Sequence, residues 1–387
     1  MLAALDLPAA TAAVTPDSRV IEMLEGVSRE ELEPVVADLS GATPATIGGA
    51  EYSFTTRSSS SGVPIDMAEQ YVFEQLSSYG LDSVVYHEFP PESGAPPGRN
   101  VIGQIDGTTR ADEIVVLGAH MDSYPWNGAA PGADDDASGV SATLYVARSF
   151  AGHSFERTIR FAFFGDEENA PWVCDEIGSA GYAARCADAG EDIVAMIQAD
   201  AIAYDPPESE ARIGELVTRR PSNDPGGGDQ AIAELWLELI EAYGIAGIEP
   251  QHVPSGNNWS DHGSFWNQGY PAALLVAEER DHWNPNWHSA DDLVSTFTWP
   301  LYVPLTQSYL ALAAHLAVIE ALPEDTGSRD SDSGPETNDT GTPGHEGGCG
   351  CVAPGAWPPL ALLTLLGLWL TGRRRAAPAR RLSAQRP

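Results

Sequence analysis

Short apolar runs alternate with segments of helical periodicity through the middle of the chain. Five runs have the length and the β-branched or aromatic content of buried strands. They are residues 101–105, 114–118, 158–164, 193–198 and 272–277. Apolar residues recur at helical spacing near residues 138–151, 179–188, 228–243 and 304–321. This alternation predicts an α/β fold in which a largely parallel, mixed central sheet is flanked by helices.

The segment before the first of these runs shows weaker patterns. Ser28 and Glu31 fit a capping box at the start of a helix that continues towards Leu39. Residues 67–79 place apolar side chains at helical spacing, and residues 84–89 fit a strand. We therefore expect this segment to fold as part of the same domain.

Composition changes at both ends of the chain and sets the expected limits of that domain. Residues 1–16 are small and apolar but contain Asp6 and lack a basic start, so they form a poorly defined segment and a poor export signal. After Leu322 the chain loses apolar periodicity, which predicts a disordered acidic linker rich in Gly, Pro, Ser and Thr over residues 326–348. We expect one domain over residues 17–325.

The C-terminal segment 349–387 combines cysteines, an apolar run and an arginine-rich end. Residues 352–371 carry no charge and are long enough to span a bilayer, with the arginines at 373–375 on the cytoplasmic side. A buried helix is the alternative, but a run behind a disordered linker has no core to join. With the arginines inside, the folded domain would face outward, at the cell surface or secreted. The segment resembles bacterial sorting tails of the MYXO-CTERM type, which implies processing near Cys349 or Cys351.

The charge balance bears on the partners of the protein. The chain has 56 acidic and 20 basic residues, for a net charge of −36. Such a field repels nucleic acid and weakly favours cationic ligands, such as the free amino terminus of a peptide. A surface adapted to salty surroundings explains the same balance, so charge alone does not identify a substrate.

Five side chains of the types that bind divalent metals lie at or just after predicted strands. They are His120 in GAHMDS, Asp135 in PGADDDASG, Glu168 in FFGDEE, Asp200 in MIQAD and His288 in NPNWHSADD. Ligands of an open α/β sheet collect at the carboxyl ends of its strands, so we expect these side chains to converge. Imidazole and carboxylate together suit zinc better than calcium or magnesium. The pattern predicts a two-metal hydrolase.

Neighbouring residues extend this chemistry. Asp122 follows His120 by two residues, so in an extended segment both side chains point the same way and Asp122 can orient the imidazole. The three acids at 134–136 fit a solvated turn as well as a metal site. The three at 166–168 follow a buried aromatic strand, where metal would have to compensate their charge. One glutamate can then bind metal while its neighbour takes a proton from metal-bound water, whose pKa falls towards about 7.

Jointly, HMDS, PGADDDASG, DEE, QAD, SDHGSFWNQGYPA and NPNWHSADD resemble the zinc exopeptidases of the bacterial leucyl aminopeptidase type. That family includes glutamate carboxypeptidase and glutaminyl cyclase relatives. The resemblance covers roughly residues 100–321 and implies a phosphorylase/hydrolase-like fold. It also implies two Zn²⁺ ions per chain, held as follows: His120 and Asp200 on one ion, Glu168 and His288 on the other, and Asp135 between them. Glu167 would be the general base, and the bond between Asp135 and Asp136 a cis peptide.

The sequence also departs from the family pattern. Residues 169–177 are inserted after the paired glutamates and could form a rim over the site. Asn257 stands where the best-known bacterial aminopeptidases have a tyrosine that is thought to polarise the scissile carbonyl. His262 fits a structural role as well as a role near the substrate. Three tryptophans close to the last motifs could wall an apolar pocket or simply pack: Trp259, Trp283 and Trp287.

The sequence therefore predicts an exported di-zinc aminopeptidase. Glu167, with Asp122 in support, would activate a hydroxide bridged between the metals to remove N-terminal residues from peptides. Carboxypeptidase or glutaminyl cyclase activity on the same fold is one alternative. A catalytically inactive surface binding module is another. The preferred residue, the native metal and the oligomeric state stay open at this point.

Overall fold

A computed structural model describes residues 14–90, 98–125, 128–168, 178–207, 209, 211–224, 226–277 and 283–320. Its helices are α1 Ser18–Gly26, α2 Arg29–Leu39, α3 Val63–Ser78, α4 Gly139–Phe150, α5 Gly178–Ala189, α6 Gly228–Tyr243, α7 His262–Asn267 and α8 Trp299–Ala317. Its strands are β1 Ala45–Ile47, β2 Ala50–Tyr52, β3 Ser83–Phe89, β4 Gly98–Ile105, β5 Arg110–His120, β6 Arg157–Phe164, β7 Asp192–Ala199, β8 Ile213–Val217, β9 Glu249–Val253 and β10 Ala272–Ala277.

Eight strands form a mixed sheet in the order β3-β4-β6-β5-β7-β10-β8-β9. At its centre β6, β5, β7 and β10 run parallel to one another. Towards the two edges, β4 is antiparallel to β6 and β8 is antiparallel to β10. The carboxyl ends of the four central strands therefore meet at one edge of the sheet, where ligands of such folds bind.

Alternate residues of the central strand β5 face two different cores. Val115 and Leu117 belong to the larger core, which also contains buried residues of α3, α4, α6 and α8. Ile114 and Val116 belong to a second core on the opposite face, with residues of α5 and α7. Because both faces are covered, these strands are apolar at nearly every position rather than at every second one.

The predicted α/β fold is confirmed, and each predicted strand and helix has a counterpart within a few residues of its expected limits. Ser28 lies at the N-cap of α2, but its side chain makes no capping hydrogen bond. Helix α8 begins earlier than predicted, because Pro300 occupies its first turn, where the missing N–H costs no intrahelical bond. The prediction omitted helix α1, the short strands β1 and β2, strands β8 and β9, and the short helix α7.

The prediction of a transmembrane helix is wrong for the part of the chain that the structure describes. None of the helices there is both long and apolar enough to cross a membrane. The longest, α8, has 19 residues but contains Pro304, Gln307 and His315. The expected span at 352–371 lies outside the described residues, as do the linker and sorting tail around it. The domain limits and export stay predictions.

Candidate metal centre

The five predicted metal ligands lie together at the carboxyl edge of the sheet. His120 ends β5, Glu168 follows β6 and Asp200 follows β7. Asp135 lies in an irregular turn, Ala133–Ser138, directly before α4, and His288 lies in the loop between β10 and α8. All five side chains are buried, with no residue more than 6 % exposed. The sheet topology thus brings together residues that are far apart in sequence.

Asp135 stands between two groups of donor atoms. Its Oδ1 is 3.1 Å from His120 Nε2, and its Oδ2 is 3.3 Å from His288 Nε2. On one side His120 Nε2 is 3.5 Å from Asp200 Oδ1, and on the other His288 Nε2 is 2.8 Å from Glu168 Oε2. Each group of three offers donor atoms within 4.8 Å of one another. A carboxylate shared in this way can bridge two metal ions.

The electrostatics of the cluster fit a bound cation. Burial raises the pKa of Glu168 well above its ordinary value, and the nearby Asp135 carboxylate adds to that shift. Burial acts in the same direction on Asp135, but hydrogen bonds with His120 and His288 outweigh it and lower the pKa of that carboxyl. Within the described chain, Glu168 Oε1 is buried without a hydrogen-bond partner. A dication would compensate an oxygen that is otherwise costly to bury.

One buried carboxylate, Asp122, holds the imidazole and the acid pair in place. Its Oδ1 is 3.5 Å from His120 Nδ1, a long contact for a hydrogen bond. The same carboxylate accepts the backbone N–H of Glu167 at 3.2 Å and that of Glu168 at 2.9 Å, and the Ser59 hydroxyl donates to it at 2.6 Å. Asp122 therefore joins the end of β5 to the acids that follow β6.

Glu167 lies at the border of this cluster and is more exposed than the proposed ligands. It offers a carboxylate oxygen within 4.8 Å of donor atoms of both His120 and Glu168. Burial raises the pKa of Glu167 well above its ordinary value, although a nearby His120 opposes the shift. Glu167 is thus next to the candidate metal ligands, where a proton acceptor for water is needed.

The three consecutive aspartates have different partners, and none of them forms a solvated turn, since all are buried. Asp136 accepts the backbone N–H groups of His120 at 3.1 Å and Gly139 at 2.9 Å. Asp134 accepts the N–H of Ala203 at 2.8 Å. Of the three, only Asp135 belongs to a candidate metal-binding group, while its neighbours fix the backbone around it.

Asp292 also shapes the site, although sequence reasoning did not single it out. Its two carboxylate oxygens accept the backbone N–H groups of Asp134 at 2.9 Å and Asp135 at 3.1 Å. Asp292 occurs in the motif NPNWHSADD, but nothing in that spacing signals a partner more than 150 residues away.

The bond between Asp135 and Asp136 is a cis peptide, as the resemblance implied.

Three residues beside the site have positive backbone φ angles without being glycine: Asp166 at 66°, Ala201 at 48° and His288 at 58°. Such conformations are uncommon for residues with a side chain and cluster at functional sites. Each of the three directly adjoins or is itself a proposed ligand or base. The local chain geometry is therefore set by the site rather than by the conformational preference of these residues.

The SDH motif, Ser260 to His262, supports the cluster through hydrogen bonds to residues at the end of β7. Ser260 donates to Asp200 Oδ2 at 2.7 Å, and Asp261 Oδ2 accepts the Gln198 amide at 2.8 Å. His262 is buried, with Nε2 2.8 Å from the backbone oxygen of Asn257, and burial lowers its pKa to about 4. This contact gives His262 a structural role, since it holds the 257 segment; the carbonyl-polarising role of Asn257 stays a prediction.

An aromatic row leads from the surface to the proposed ligand His288. Trp259 and Trp283 have ring centroids 5.8 Å apart, and those of Trp283 and Trp287 are 5.4 Å apart. Trp287 stacks on the His288 ring at 3.4 Å. Trp287 therefore adjoins the metal centre through His288, while the predicted rim at 169–177 lies outside the described residues.

Gly139 tests how tightly this site is packed. A Cβ atom there would lie 2.1 Å from the backbone oxygen of Ala199 and 2.5 Å from Asp136 Oδ1. We expect Gly139→Ala to lower the free energy of unfolding by about 1–3 kcal/mol through overpacking. Urea denaturation measures this loss, with Gly226→Ala as the control, because no atom lies within 4 Å of a Cβ there. Equal stability of both variants would contradict the packing.

Comparisons with known proteins agree with this geometry. The family model described as Peptidase family M28 matches residues 100–313. Leucine aminopeptidase 1 of Fusarium vanettenii is 29 % identical over 261 residues, which cover 62 % of this chain and 61 % of that protein. Leucine aminopeptidase 1 of Aspergillus fumigatus is 28 % identical over 228 residues, covering 56 % and 55 %. The chain thus spans less than two thirds of the length of these relatives.

Two solved structures share the fold. The LapA aminopeptidase of Legionella pneumophila has a TM-score of 0.62 at 21 % identity, covering 79 % of this chain and 76 % of that one. The glutaminyl cyclase of Macrostomum lignano has a TM-score of 0.63 at 16 % identity, covering 81 % and 97 %. At these identities the similarity shows a common architecture and leaves the reaction to be argued from the site.

Proposed function

The chain belongs to peptidase family M28, and from that premise we propose that it is a zinc-dependent aminopeptidase, which removes residues from the free amino terminus of peptides. The main support for the proposal is the position of Asp135. The two carboxylate oxygens of Asp135 face two different histidines, each of which also adjoins a further buried carboxylate. That arrangement suits a pair of dications bridged by one aspartate.

The donor groups support a division of the residues between two ions. His120 and Asp200 would hold one zinc, Glu168 and His288 the other, with Asp135 shared between them. Zinc in such a site polarises the scissile carbonyl and makes water easier to deprotonate. The remaining chemistry belongs to the protein, which has to orient the ligands, move one proton and hold the peptide.

Glu167 would move that proton. Its carboxylate would accept a proton from the attacking water as the water oxygen bonds to the scissile carbonyl carbon. It would then return the proton to the leaving amine nitrogen as the carbon–nitrogen bond breaks. Asp122 keeps the Glu167 and Glu168 amides fixed relative to His120, so that the base and the ligands hold one geometry.

Charge and shape support a peptide amino terminus as the group that is recognised. The site is rich in carboxylates and the whole chain carries a net charge of −36, so a cationic amino group is attracted while an anionic terminus is repelled. The aromatic row next to His288 provides an apolar surface for the first side chain of the substrate.

A substrate panel tests the proposal. We expect the full chain to hydrolyse amino-acid p-nitroanilides, to lose this activity with chelator, and to leave the N-acetylated forms uncleaved. Acetylation removes the positive charge and blocks the amino group that the site would bind. Equal cleavage of the acetylated forms would indicate an endopeptidase. A glutaminyl substrate released only as a cyclised product would indicate a cyclase, and either result would contradict the proposal.

Asp122→Asn tests the positioning of the ligands. The substitution keeps the shape but weakens the hold on the His120 ring, since one oxygen of the carboxylate becomes an amide donor. Loss of such a partner lowers metal affinity or activity by about 10–100-fold. We expect this loss in kcat/KM, and none in Asp112→Asn, where an exposed aspartate lies at the other end of the same strand. Wild-type values for Asp122→Asn would exclude the role.

A further inference from the structure

Arg57 is fully buried, and its guanidinium donates to four backbone carbonyl groups. Nε donates to Met121 O at 2.8 Å and Nη2 to Gly132 O at 3.0 Å. Nη1 donates to Leu39 O at 2.9 Å and to Pro131 O at 2.5 Å. Within the described chain no carboxylate lies within ion-pair distance of this guanidinium, whereas buried arginines usually have such a partner.

Three of the four carbonyl groups that Arg57 binds belong to the two segments that present metal ligands, and the fourth, Leu39 O, lies at the end of α2. Met121 lies between His120 and Asp122, and Gly132 begins the turn that carries Asp135. The planar guanidinium therefore fixes the distance between the end of β5 and the aspartate turn. The backbone N–H of Arg57 donates to Ser123 Oγ at 3.0 Å, which strengthens the same connection.

The residues around the Arg57 guanidinium are closely packed. A Cβ atom on Gly132 would lie 3.0 Å from the Arg57 guanidinium and 2.5 Å from the backbone oxygen of Asp135. Burial lowers the pKa of Arg57, while the negative charges of Asp292, Asp136 and Asp122 oppose that shift. The guanidinium thus stays close to the acids of the site without pairing with any one of them.

We propose that Arg57 is a positioning residue for the metal centre, which holds the His120 and Asp135 segments at the separation that zinc binding requires. The inference rests on the proposed metal-dependent function. It also extends the site beyond residues 100–313, the part that the family model matches, because Arg57 comes from the preceding segment. The N-terminal region is thereby part of the site and not only of the scaffold.

Loss of the Arg57 charge and loss of its hydrogen bonds should change zinc affinity in opposite directions, so an experiment can separate the two. Removing a positive charge near bound cations would strengthen zinc binding, because like charges repel. Removing the guanidinium fork leaves buried carbonyl groups without donors and lets the two segments move apart, which weakens binding. The proposal requires the second effect to dominate.

Zinc affinity of the full chain is measured by competition with a chromophoric chelator, after the metal has been removed. We expect Arg57→Met to bind zinc about 10–100-fold more weakly than wild type. Arg57→Lys should lie between the two, because an ammonium group keeps the charge but cannot reproduce the planar fork. If Arg57→Met does not fold, Arg57→Lys alone tests the proposal. Wild-type zinc affinity of Arg57→Lys would overturn it.

Arg157→Met is the matched control. Arg157 is equally buried and donates to a backbone carbonyl, Leu316 O at 2.7 Å, but it lies at the opposite end of the sheet. We expect this variant to lose thermal stability and to keep the zinc affinity of wild type. Equal weakening in Arg157→Met and Arg57→Met would reduce Arg57 to a general stabilising residue. Tighter zinc binding in Arg57→Met would also overturn the proposal, and absence of zinc binding in wild type would instead refute the proposed function.

Discussion

Glu167→Gln should lower kcat by about 10²–10⁴-fold while zinc content stays at the wild-type level, since a general base contributes that much to a proton transfer. The amide keeps the size of the side chain but cannot accept the proton of the attacking water. The zinc ligands assigned here do not include Glu167, so the metal remains bound. Steady-state kinetics and elemental analysis of the same preparation measure both quantities.

The control for this prediction is Glu88→Gln, which makes the same chemical change at an exposed position on β3. It should leave kcat and zinc content unchanged. If Glu167→Gln turned over substrate nearly as fast as wild type, the assignment of the base would be wrong. If it lost zinc as well as activity, Glu167 would be a metal ligand, and the order within the glutamate pair would be reversed.

Asp135→Ala should abolish measurable turnover and weaken both metal ions together. Its two oxygens face different donor groups, so its loss takes a ligand from both groups at once. Glu168→Ala takes a ligand from only one group and should cost one ion, with the other retained. Zinc titration of the metal-free variants distinguishes the two patterns.

Asp112→Ala serves as the control for the loss of one carboxylate, since Asp112 is exposed and far from the site along β5. It should bind zinc as wild type does. Retention of one tightly bound zinc in Asp135→Ala would show that the aspartate does not bridge. The cluster would then hold a single ion.

The ligands that the sequence predicted could be recognised from their positions at the ends of buried strands. Parallel strands covered on both faces appear as continuous apolar runs, and a histidine or acid that ends such a run marks the carboxyl edge. His120, Glu168 and Asp200 were found in this way, because the strand ends fix where they lie. The edge strand β9 was missed, since it is only half-buried and contains polar residues such as Gln251.

The supporting residues were missed for a different reason. Arg57 stands in the segment TTRSSSSG, where no periodicity signals burial, and arginine is rarely a fully buried residue. Asp134, Asp136 and Asp292 bind backbone amides whose positions only the tertiary structure determines. Sequence patterns identify acids that follow strands. They do not show which of these acids bind metal and which accept hydrogen bonds from backbone N–H groups.

The central claim is that two dications lie among these buried acids, one on each side of Asp135. An anomalous difference map from crystals of the active protein, recorded at the zinc absorption edge, tests it most directly. We expect two peaks, one between His120 and Asp200 and the other between Glu168 and His288. A map without a peak next to Asp135, from crystals of demonstrably active protein, would contradict the account.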